Sequence, residues 1–435
     1  MFISSSIGII ADDLTGANDT ALQFHLRGCN TQIVLDYTSH NVSCKQTQAW
    51  AISTETRNIP KHIAAEKVEA ATRNLKENYN IEHFYKKIDS TLRGNIATET
   101  FAMLKVLGWD AAVMVPAFPN EGRTTVGGYH LLKGIPIERT ELARDPHFPI
   151  YESHIPTILK RQLETKEEQD SIALIDLKIV MKGAGPILME MNRLITEGKK
   201  LIVFDAVSTT DIEQIVLAID KCNYKILPCG SAGAAQALGN IWLPEMKYQH
   251  INKTIPNLPI LVISGSATNL TASQIKKLED DDDIDNAYFI EIKLNDIMTN
   301  SYEEIVERAV RNLEKDNIVV VHSSCLVDKQ EELAETLYQQ ELTKQQFASL
   351  TGDFIAEITK MIIEKKEVIL VSIGGETSYK CAKAIDSETL QLIDEVAPAI
   401  PLCIDHKAQL IVTKSGNLGN QNTLVDIIKY FERHV

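Results

Sequence analysis

Two adjacent carboxylates follow a short apolar run near the start of the chain. Residues 7–11 lead into a cluster of polar side chains, which are Asp12, Asp13, Thr15, Asn18 and Asp19. Carboxylates can accept a proton or a hydrogen bond from a hydroxyl group. An Asp at the end of a strand is also often a helix N-cap, which satisfies free backbone N–H groups. One cap does not require three carboxylates, so the cluster as a whole predicts a site for chemistry.

Cations and a further carboxylate recur in the first half of the chain, at the ends of predicted strands and in loops. They are Arg57, Lys86, Lys87, Asp89, Arg93 and Arg123. Guanidinium groups can pair with a carboxylate in bidentate fashion, and Asp side chains accept hydrogen bonds from hydroxyls. This mixture suits an acid that carries several hydroxyl groups. The structural alternative is that the lysines flank a strand and that Arg93 is a surface cation, and it is stronger for Lys86 than for Arg93.

Three turns that contain glycine and hydroxyl side chains follow predicted strands in the second half. They are Ser264-Gly265-Ser266, Gly374-Gly375-Glu376-Thr377-Ser378 and Ser415-Gly416-Asn417. Glycine lets the backbone approach a ligand, and free N–H groups at a helix start favour phosphate. Together the turns predict a nucleotide site, although each alone is also common at strand ends. The two best-known glycine-rich phosphate motifs do not occur, so such a site has another design.

Strands alternate with helices along both halves, which predicts an α/β fold of two layered domains with mostly parallel sheets. A length of 435 residues also favours two domains over one core. We place the N-terminal domain at residues 1–242, a proline-containing linker at 243–258 and the C-terminal domain at 259–435. Ligands bind beyond the carboxyl ends of strands in such sheets, where the polar turns described above are expected to lie.

Composition narrows the class of protein. A formal net charge of −15 argues against a nucleic-acid partner and against an anionic membrane surface. The seven cysteines are scattered, and the eleven histidines form no His-x-x-x-His pair, so we expect reduced thiols and no dedicated metal site. No signal peptide and no long apolar segment is recognisable, which predicts a cytoplasmic chain.

The motifs resemble those of the four-carbon acid sugar kinase family, in the same order and over the whole chain. The segments that carry the resemblance are Ala11-Asp12-Asp13-Leu14-Thr15-Gly16-Ala17-Asn18-Asp19, residues 85–95 (Tyr-Lys-Lys-Ile-Asp-Ser-Thr-Leu-Arg-Gly-Asn), Gly230-Ser231-Ala232-Gly233, Ser264-Gly265-Ser266, Gly374-Gly375-Glu376-Thr377 and Lys414-Ser415-Gly416. The resemblance implies an N-terminal acid-sugar-binding domain, a C-terminal ATP-binding domain and an active site in the cleft between them. It also implies transfer of the γ-phosphoryl group to O4 of a tetronate such as threonate, erythronate or 3-oxo-tetronate.

Residue roles follow from this hypothesis. Asp13 or Asp12 would accept the proton of the attacking hydroxyl. The substrate would be bound by Asp12, Asp13, Arg57, Lys87, Asp89 and Arg93. The nucleotide would be bound by Ser264, Gly265, Ser266, Gly374, Gly375, Glu376, Thr377 and Gly416, with Lys414 as a further phosphate contact. Mg²⁺ would be carried with ATP.

Other functions stay open at this point. A dehydrogenase or an aldolase could use a similar layered fold, but the dinucleotide fingerprint and a paired metal-ligand or isolated lysine site are missing. A nucleotide-binding sensor without turnover would have no need for the Asp, Arg and Lys set of the first half. The acid could also be another aldonate. The sequence does not fix the stereoisomer of the acid, the identity of the base or the oligomeric state. A homodimer is one option for the last of these.

Overall fold

The computed structural model describes residues 6–38, 47–144, 149–243, 255–266, 268–315, 317–324 and 330–434. It divides into two compact units, Met1–Tyr248 and Gln249–Val435. Most of the predicted linker at 243–258 lies outside the described residues, because its positions 244–254 are not among them.

Among the described residues, none of the helices has the length and apolar character that crossing a bilayer requires.

The first unit alternates strands and helices. Its strands are β1 (Ile7–Ala11), β2 (Thr31–Val34), β3 (Ala49–Ser53), β4 (His83–Lys87), β5 (Ala111–Val115), β6 (Arg123–Val126), β7 (Tyr129–Leu132), β8 (Ile135–Pro136), β9 (Ile172–Ile175), β10 (Leu201–Phe204) and β11 (Ile226–Gly230). Its α-helices are α1 (Leu14–His25), α2 (Lys61–Asn78), α3 (Ile96–Leu107), α4 (Ile155–Gln162), α5 (Lys166–Asp170), α6 (Leu177–Val180), α7 (Ala184–Thr196), α8 (Thr209–Asp220) and α9 (Ala232–Trp242). Short 3₁₀ segments lie at Pro119–Glu121, Ile137–Arg139 and Glu141–Arg144.

The main sheet of this unit has the strand order β2-β3-β1-β4-β11-β5-β10-β9, and its neighbouring strands run parallel. Strand β1, for example, aligns Ile9 with Ala51 of β3 and with Tyr85 of β4. The strands are almost wholly buried, as expected for a parallel sheet covered by helices. A separate antiparallel sheet consists of β6, β7 and β8.

The connections around β1 open a crevice at the carboxyl ends of the strands. Helix α1 leads from β1 towards β2, whereas α2 and α3 lead in the opposite direction along the sheet. Crossover connections between parallel strands are right-handed. Helices whose connections lead in opposite directions along the sheet therefore cover opposite faces of it. Accordingly α1 packs beside α9, and α2 packs beside α3. The loop after β1 therefore diverges from the loops after its neighbours β3 and β4, the arrangement at which open α/β sheets bind ligands.

The second unit repeats this architecture with a different sheet. Its strands are β12 (Ile260–Ser264), β13 (Ala287–Glu291), β14 (Ile318–His322), β15 (Ile369–Ile373), β16 (Thr389–Ala397), β17 (Ile400–Asp405) and β18 (Leu410–Lys414). Its helices are α10 (Asn269–Glu279), α11 (Leu294–Thr299), α12 (Glu303–Leu313), α13 (Gln330–Gln339), α14 (Lys344–Ile363), α15 (Gly375–Ala384) and α16 (Thr423–His434).

The order of this sheet is β13-β14-β12-β15-β18-β17-β16. The first five strands are parallel, and β17 runs antiparallel to both β18 and β16. Two layered domains with mostly parallel sheets confirm the predicted fold class. The β16–β17 hairpin and strand β13 were not predicted, and α14 begins at Lys344 rather than at Thr351, because Thr343 and Gln346 form a capping box there.

The segment Gly230–Gly233 is a packing feature of the first sheet. The Tyr85 hydroxyl donates to the carbonyl of Ser231 at 2.6 Å, and the Ser231 hydroxyl donates to the carbonyl of Ala117 at 2.8 Å. A Cβ atom on Gly230 would lie 2.4 Å from the carbonyl oxygen of Val115. Glycine at 230 is therefore what lets β11 end between β4 and β5.

We predict that Gly230→Ala lowers the free energy of unfolding by about 1–3 kcal/mol, because the added methyl group overpacks against backbone. Thermal or urea unfolding of the purified chain measures this. Gly185→Ala is the matched control: it lies at an exposed site on α7 with no foreign atom within 4 Å of the added Cβ. The control should be neutral or stabilising, as Gly→Ala is in a helix. Equal midpoints for the two variants would contradict the packing argument.

Candidate functional site

An ion-pair network of three aspartates and two arginines occupies the crevice of the first unit. Arg57, in the loop after β3, holds Asp12 in bidentate fashion, with Nε 2.8 Å from Oδ2 and Nη2 3.0 Å from Oδ1. Its Nη1 lies 2.6 Å from Oδ2 of Asp13, and its Nη2 lies 3.7 Å from Oδ1 of Asp89. Arg57 therefore joins the ends of β1, β3 and β4.

The two adjacent aspartates have different surroundings. Both carboxylate oxygens of Asp12 are taken by Arg57, and the residue is only 3% exposed. Burial opposes ionisation of Asp12, but the charge and hydrogen bonds of Arg57 outweigh it and lower the pKa of Asp12. Asp13 is the N-cap of α1, where Oδ1 accepts from the backbone N–H of Gly16 at 2.8 Å and Oδ2 from the Thr15 hydroxyl at 2.7 Å. The N-cap interpretation of this motif thus holds for Asp13.

The loop after β4 supplies the third aspartate. Arg93 donates to Asp89 through Nε at 2.8 Å and through Nη2 at 3.2 Å, and the Thr91 hydroxyl donates to the same carboxylate. Burial opposes ionisation of Asp89, but the charges of Arg93 and Arg57 outweigh it and hold the pKa of Asp89 well below its usual range. Asn95, at the end of the loop after β4, stabilises the loop that carries Arg57. Its Nδ2 donates to the carbonyls of Thr56 and Ile59, each at 2.9 Å.

The two lysines of β4 point to opposite faces of the sheet, as successive residues of a strand do. Lys86 is 1% exposed and forms an ion pair of 2.7 Å with the equally buried Glu99 of α3, so it belongs to the interior. Lys87 lies on the α1 side, where a Cβ atom on Gly16 would be 3.2 Å from its Nζ. That Nζ donates to the carbonyl of Ile88 at 2.9 Å. Lys87 thus lies beside Asp13, next to the network, whereas Lys86 lies in the interior.

Glu55 is a site residue that the sequence reasoning did not select. It stands between strand β3 and Arg57, and its backbone φ of 48° is left-handed, a costly conformation for a residue with a side chain. The Ser53 hydroxyl donates to its carboxylate. Burial, reinforced by the negative charge of Asp13, raises the pKa of Glu55 to about 8. The sequence signal that could have identified Glu55 was its position in the polar run Ser53–Arg57, directly after a predicted strand.

The three glycine turns of the second unit meet at the carboxyl ends of the adjacent strands β12, β15 and β18. A Cβ atom on Gly265 would lie 2.5 Å from the Thr377 hydroxyl, and one on Gly416 would lie 2.3 Å from the Ser266 hydroxyl. The Thr271 hydroxyl is 3.0 Å from the Ser266 hydroxyl and 2.9 Å from the carbonyl of Gly416. The turns are thus packed against one another without room for side chains at the glycines.

Helix α15 begins at the middle of these turns. Gly374 is its N-cap with a φ of 109°, and among the described residues no side chain caps the first N–H groups, which Gly375, Glu376 and Thr377 contribute. Such a helix start favours an anion. The Glu376 carboxylate is paired with Lys380 at 3.1 Å. Lys414 is fully buried with its Nζ 2.9 Å from the carbonyl of Ser415, and burial lowers its pKa to about 8.

Within the ranges that the structure describes, no three His, Cys, Asp or Glu side chains are grouped so that they could hold a metal ion. Mg²⁺ is bound to proteins through one or two carboxylates together with substrate phosphates, so a prebuilt cluster is not required for it.

Family models match both units. The model described as Sugar-binding N-terminal domain matches residues 7–238, and the model described as Nucleotide-binding C-terminal domain matches residues 261–424. The chain belongs to the four-carbon acid sugar kinase family. As a member of this family it is a phosphotransferase with an alcohol group as acceptor.

Relatives match this kinase over nearly the full length. A D-threonate kinase of Salmonella typhimurium is 30% identical, with 98% of each chain covered. A D-erythronate kinase of Heliobacterium modesticaldum is 29% identical, covering 98% of this chain and 97% of its own. A 3-oxo-tetronate kinase of Brucella melitensis biotype 1 is 23% identical, covering 95% and 93%. Among solved structures, a Haemophilus influenzae protein of the DUF1537 family has the same fold, with a TM-score of 0.72 at 23% identity, and 98% of this kinase and 99% of that chain are covered.

We predict that Glu55→Gln becomes more stabilising, relative to the parent, as the pH rises from 4.5 to 8. The folded state raises the pKa of Glu55 from 4.5 to about 8. The unfolded chain therefore gives up this proton first, and the stability linked to it is lost as pH rises through that range. Gln keeps the neutral form and can still accept from Ser53. The difference in melting temperature, measured across this range, should grow by several degrees.

Glu66→Gln, at an exposed position of α2, is the control for loss of one carboxylate. A difference between Glu55→Gln and the parent that stays constant with pH would show that Glu55 is ionised in the folded protein.

Proposed function

We propose that the chain transfers the γ-phosphoryl group of ATP to O4 of a four-carbon acid sugar, which is threonate, erythronate or a 3-oxo-tetronate. The relatives named for these three activities support the substrate class. The single observation that carries the proposal is the network around Arg57, at the carboxyl ends of three adjoining strands of the domain that matches a sugar-binding model. Hydroxyl groups and a carboxylate both find partners in such a mixed set of charges.

In the proposed reaction Asp13 is the base. Asp12 has both oxygens bound to Arg57, so its role is to position that arginine. Asp13 is the more exposed of the two, at 8% against 3%, and its helix cap fixes the orientation of the carboxylate. The acceptor hydroxyl loses its proton to Asp13 as its oxygen bonds to the γ-phosphorus and the bond from that phosphorus to the bridging oxygen of ADP breaks.

The cations of the site offset charge in this scheme. Arg57 and Arg93 are already bonded to aspartates, so they stabilise the network and its surroundings electrostatically. Lys87 forms no ion pair among the described residues and adjoins Asp13 across Gly16, which makes it the cation best able to respond to charge on the substrate. Asp89 would accept a hydrogen bond from a substrate hydroxyl. Electrostatic groups that are fixed before the reaction act most strongly in a site without bulk water.

The nucleotide is assigned to the turns at β12, β15 and β18. The start of α15 offers the backbone N–H groups of Gly375, Glu376 and Thr377 to phosphate, while the N–H of the N-cap Gly374 donates to the carbonyl of Lys414 at 2.8 Å. The adjoining turns are lined by Ser264, Gly265, Ser266 and Gly416. The hydroxyl of Ser264 is buried and has no hydrogen-bond partner in the described ranges, which leaves a polar group for a ligand. Mg²⁺ would arrive on the phosphates and neutralise their charge. The buried Lys414 stabilises these turns from within.

The proposal is tested by ADP release from Mg-ATP in the presence of D- and L-threonate, D- and L-erythronate, 3-oxo-tetronate and five-carbon aldonates. We expect strong turnover with one of the tetronates, and mass spectrometry of the product should show one added phosphoryl group. If only five-carbon acids were phosphorylated, the substrate would be assigned as another aldonate. ATP binding without turnover across the whole panel would favour a nucleotide sensor.

We predict that Asp13→Asn lowers kcat by about 10²–10⁴-fold, the usual contribution of a general base, with a small effect on KM. Asn is as good an N-cap as Asp, so α1 should remain intact and the melting temperature should change little. Steady-state kinetics with the best tetronate measure both constants.

Asp13→Ala is the comparison that separates the two roles, because it removes the helix cap as well and should lower stability by about 1 kcal/mol. Near-normal kcat in Asp13→Asn would rule out Asp13 as the base and transfer that role to Asp12.

A further inference from the structure

The cationic side chains around the crevice differ in how many of their N–H donors already have a hydrogen-bond or ion-pair partner. Arg57 and Arg93 are bonded to aspartates, and Lys86 is bonded to Glu99. Among the described residues, the one ion pair of Arg123, at the start of β6, is a loose contact of 3.6 Å from Nη1 to Glu121. Its Nε is buried and has no hydrogen-bond partner within the described part of the chain. Together with Lys87, Arg123 is therefore a cation of this region with donor capacity left for a ligand.

An acceptor without a partner lies close to these two cations. Asp19 lies on α1, one helical turn after Gly16, and its Oδ1 is buried with no hydrogen-bond partner among the residues that the structure describes. Burial raises the pKa of Asp19 to about 6, and Lys87 and Arg123 oppose this rise, while Glu121 and Asp13 add to it. Of these groups, Lys87 ends β4, Arg123 starts β6, Glu121 ends the preceding 3₁₀ segment and Asp13 is the N-cap of α1.

A buried donor and a buried acceptor of opposite charge that do not bond to each other are costly for a folded chain. Each such group loses its hydration without compensation, at a cost of about 1–3 kcal/mol. A ligand that brings an acceptor for Arg123 and a donor for Asp19 would remove both costs. A carboxylate with a hydroxyl on a nearby carbon has this pair of groups, and a carboxylate fits a guanidinium through charge-assisted hydrogen bonds.

We infer that Arg123 and Lys87 bind the carboxylate of the substrate and that Asp19 accepts a hydrogen bond from a neighbouring hydroxyl. This inference rests on the proposed function, since it names the part of the same site that recognises the acid. The subsite adjoins the proposed base: a Cβ atom on Gly16 would lie 3.2 Å from Lys87 Nζ and 2.7 Å from Asp13 Oδ1. A side chain at position 16 would therefore intrude between the acid subsite and Asp13.

The consequence is that Arg123 makes this protein select acids. A neutral compound of the same length, such as the amide of the acid, brings no negative charge and only one acceptor oxygen to Arg123, so it would bind more weakly. Arg57 and Arg93 would contribute little to this choice, because protein carboxylates already neutralise them.

The test is calorimetric binding of D-threonate, D-erythronate and their primary amides to the full chain with Mg-ADP present, alongside turnover of the acids with Mg-ATP. In Arg123→Gln the affinity for the acid should fall roughly 10- to 100-fold, as expected for loss of a hydrogen bond to a charged group, while affinity for the amide stays unchanged. Arg123→Lys should recover part of the preference for the acid. Asp19→Ala should weaken acid and amide alike, because it removes the acceptor for a hydroxyl that both compounds carry.

Arg139→Gln is the matched control, since Arg139 is an arginine of the same unit whose side chain is 78% exposed. The inference is wrong if Arg123→Gln keeps the parental ratio of acid to amide affinity while the parent phosphorylates the acid, and the proposed function then stands. Binding of acids that depends on Arg123 without any ADP release would support the inference and overturn the proposed function. No binding of any of these acids to the parent would overturn both.

Discussion

The first unit depends on how one arginine is neutralised. Arg57 is nearly buried, and its charge is balanced by Asp12 and Asp13 after β1 and by Asp89 after β4. A buried ion that loses its partner costs about 3–5 kcal/mol, so these loops are constrained to meet. The charges raise the pKa of Arg57, despite its burial, and lower those of Asp12 and Asp89. These ion pairs hold the loops after β1, β3 and β4 together.

A second buried ion pair supports the network from the other face of the sheet. Lys86 and Glu99 are each 1% exposed and lie 2.7 Å apart, and the positive charge of Lys86 also acts on Asp12. The pair ties α3 to β4, directly before the loop that carries Asp89. The alternation of a strand thus gives the two consecutive lysines separate tasks, since Lys86 holds the scaffold while Lys87 faces α1. A fixed scaffold is what keeps site residues within the narrow tolerances that catalysis requires.

The strands and polar residues of the site could be predicted from the sequence more fully than the ion pairs that join these residues. Strand β1 and the carboxylates that end it were recognisable, because an apolar run followed by Asp12 and Asp13 marks a strand end in any α/β chain. That Arg57 pairs with Asp12 depends on β3 lying parallel to β1 in a register that no local pattern encodes. Glu55 was missed since a left-handed backbone at a glutamate has no sequence signal. The β16–β17 hairpin was missed for a similar reason: its turn at Ala399 lacks the usual Asn-Gly or Asp-Gly pair.

The structural and the catalytic interpretations of Asp13 support each other. As the N-cap of α1, Asp13 has one oxygen fixed by a backbone N–H, and the other is directed to Arg57 and Thr15. A side chain held in this way has little conformational freedom to lose when a substrate hydroxyl approaches. A helix cap at the carboxyl end of a central strand therefore provides an oriented carboxylate at the edge of the sheet where a ligand is expected to bind, as the proposed role of Asp13 requires.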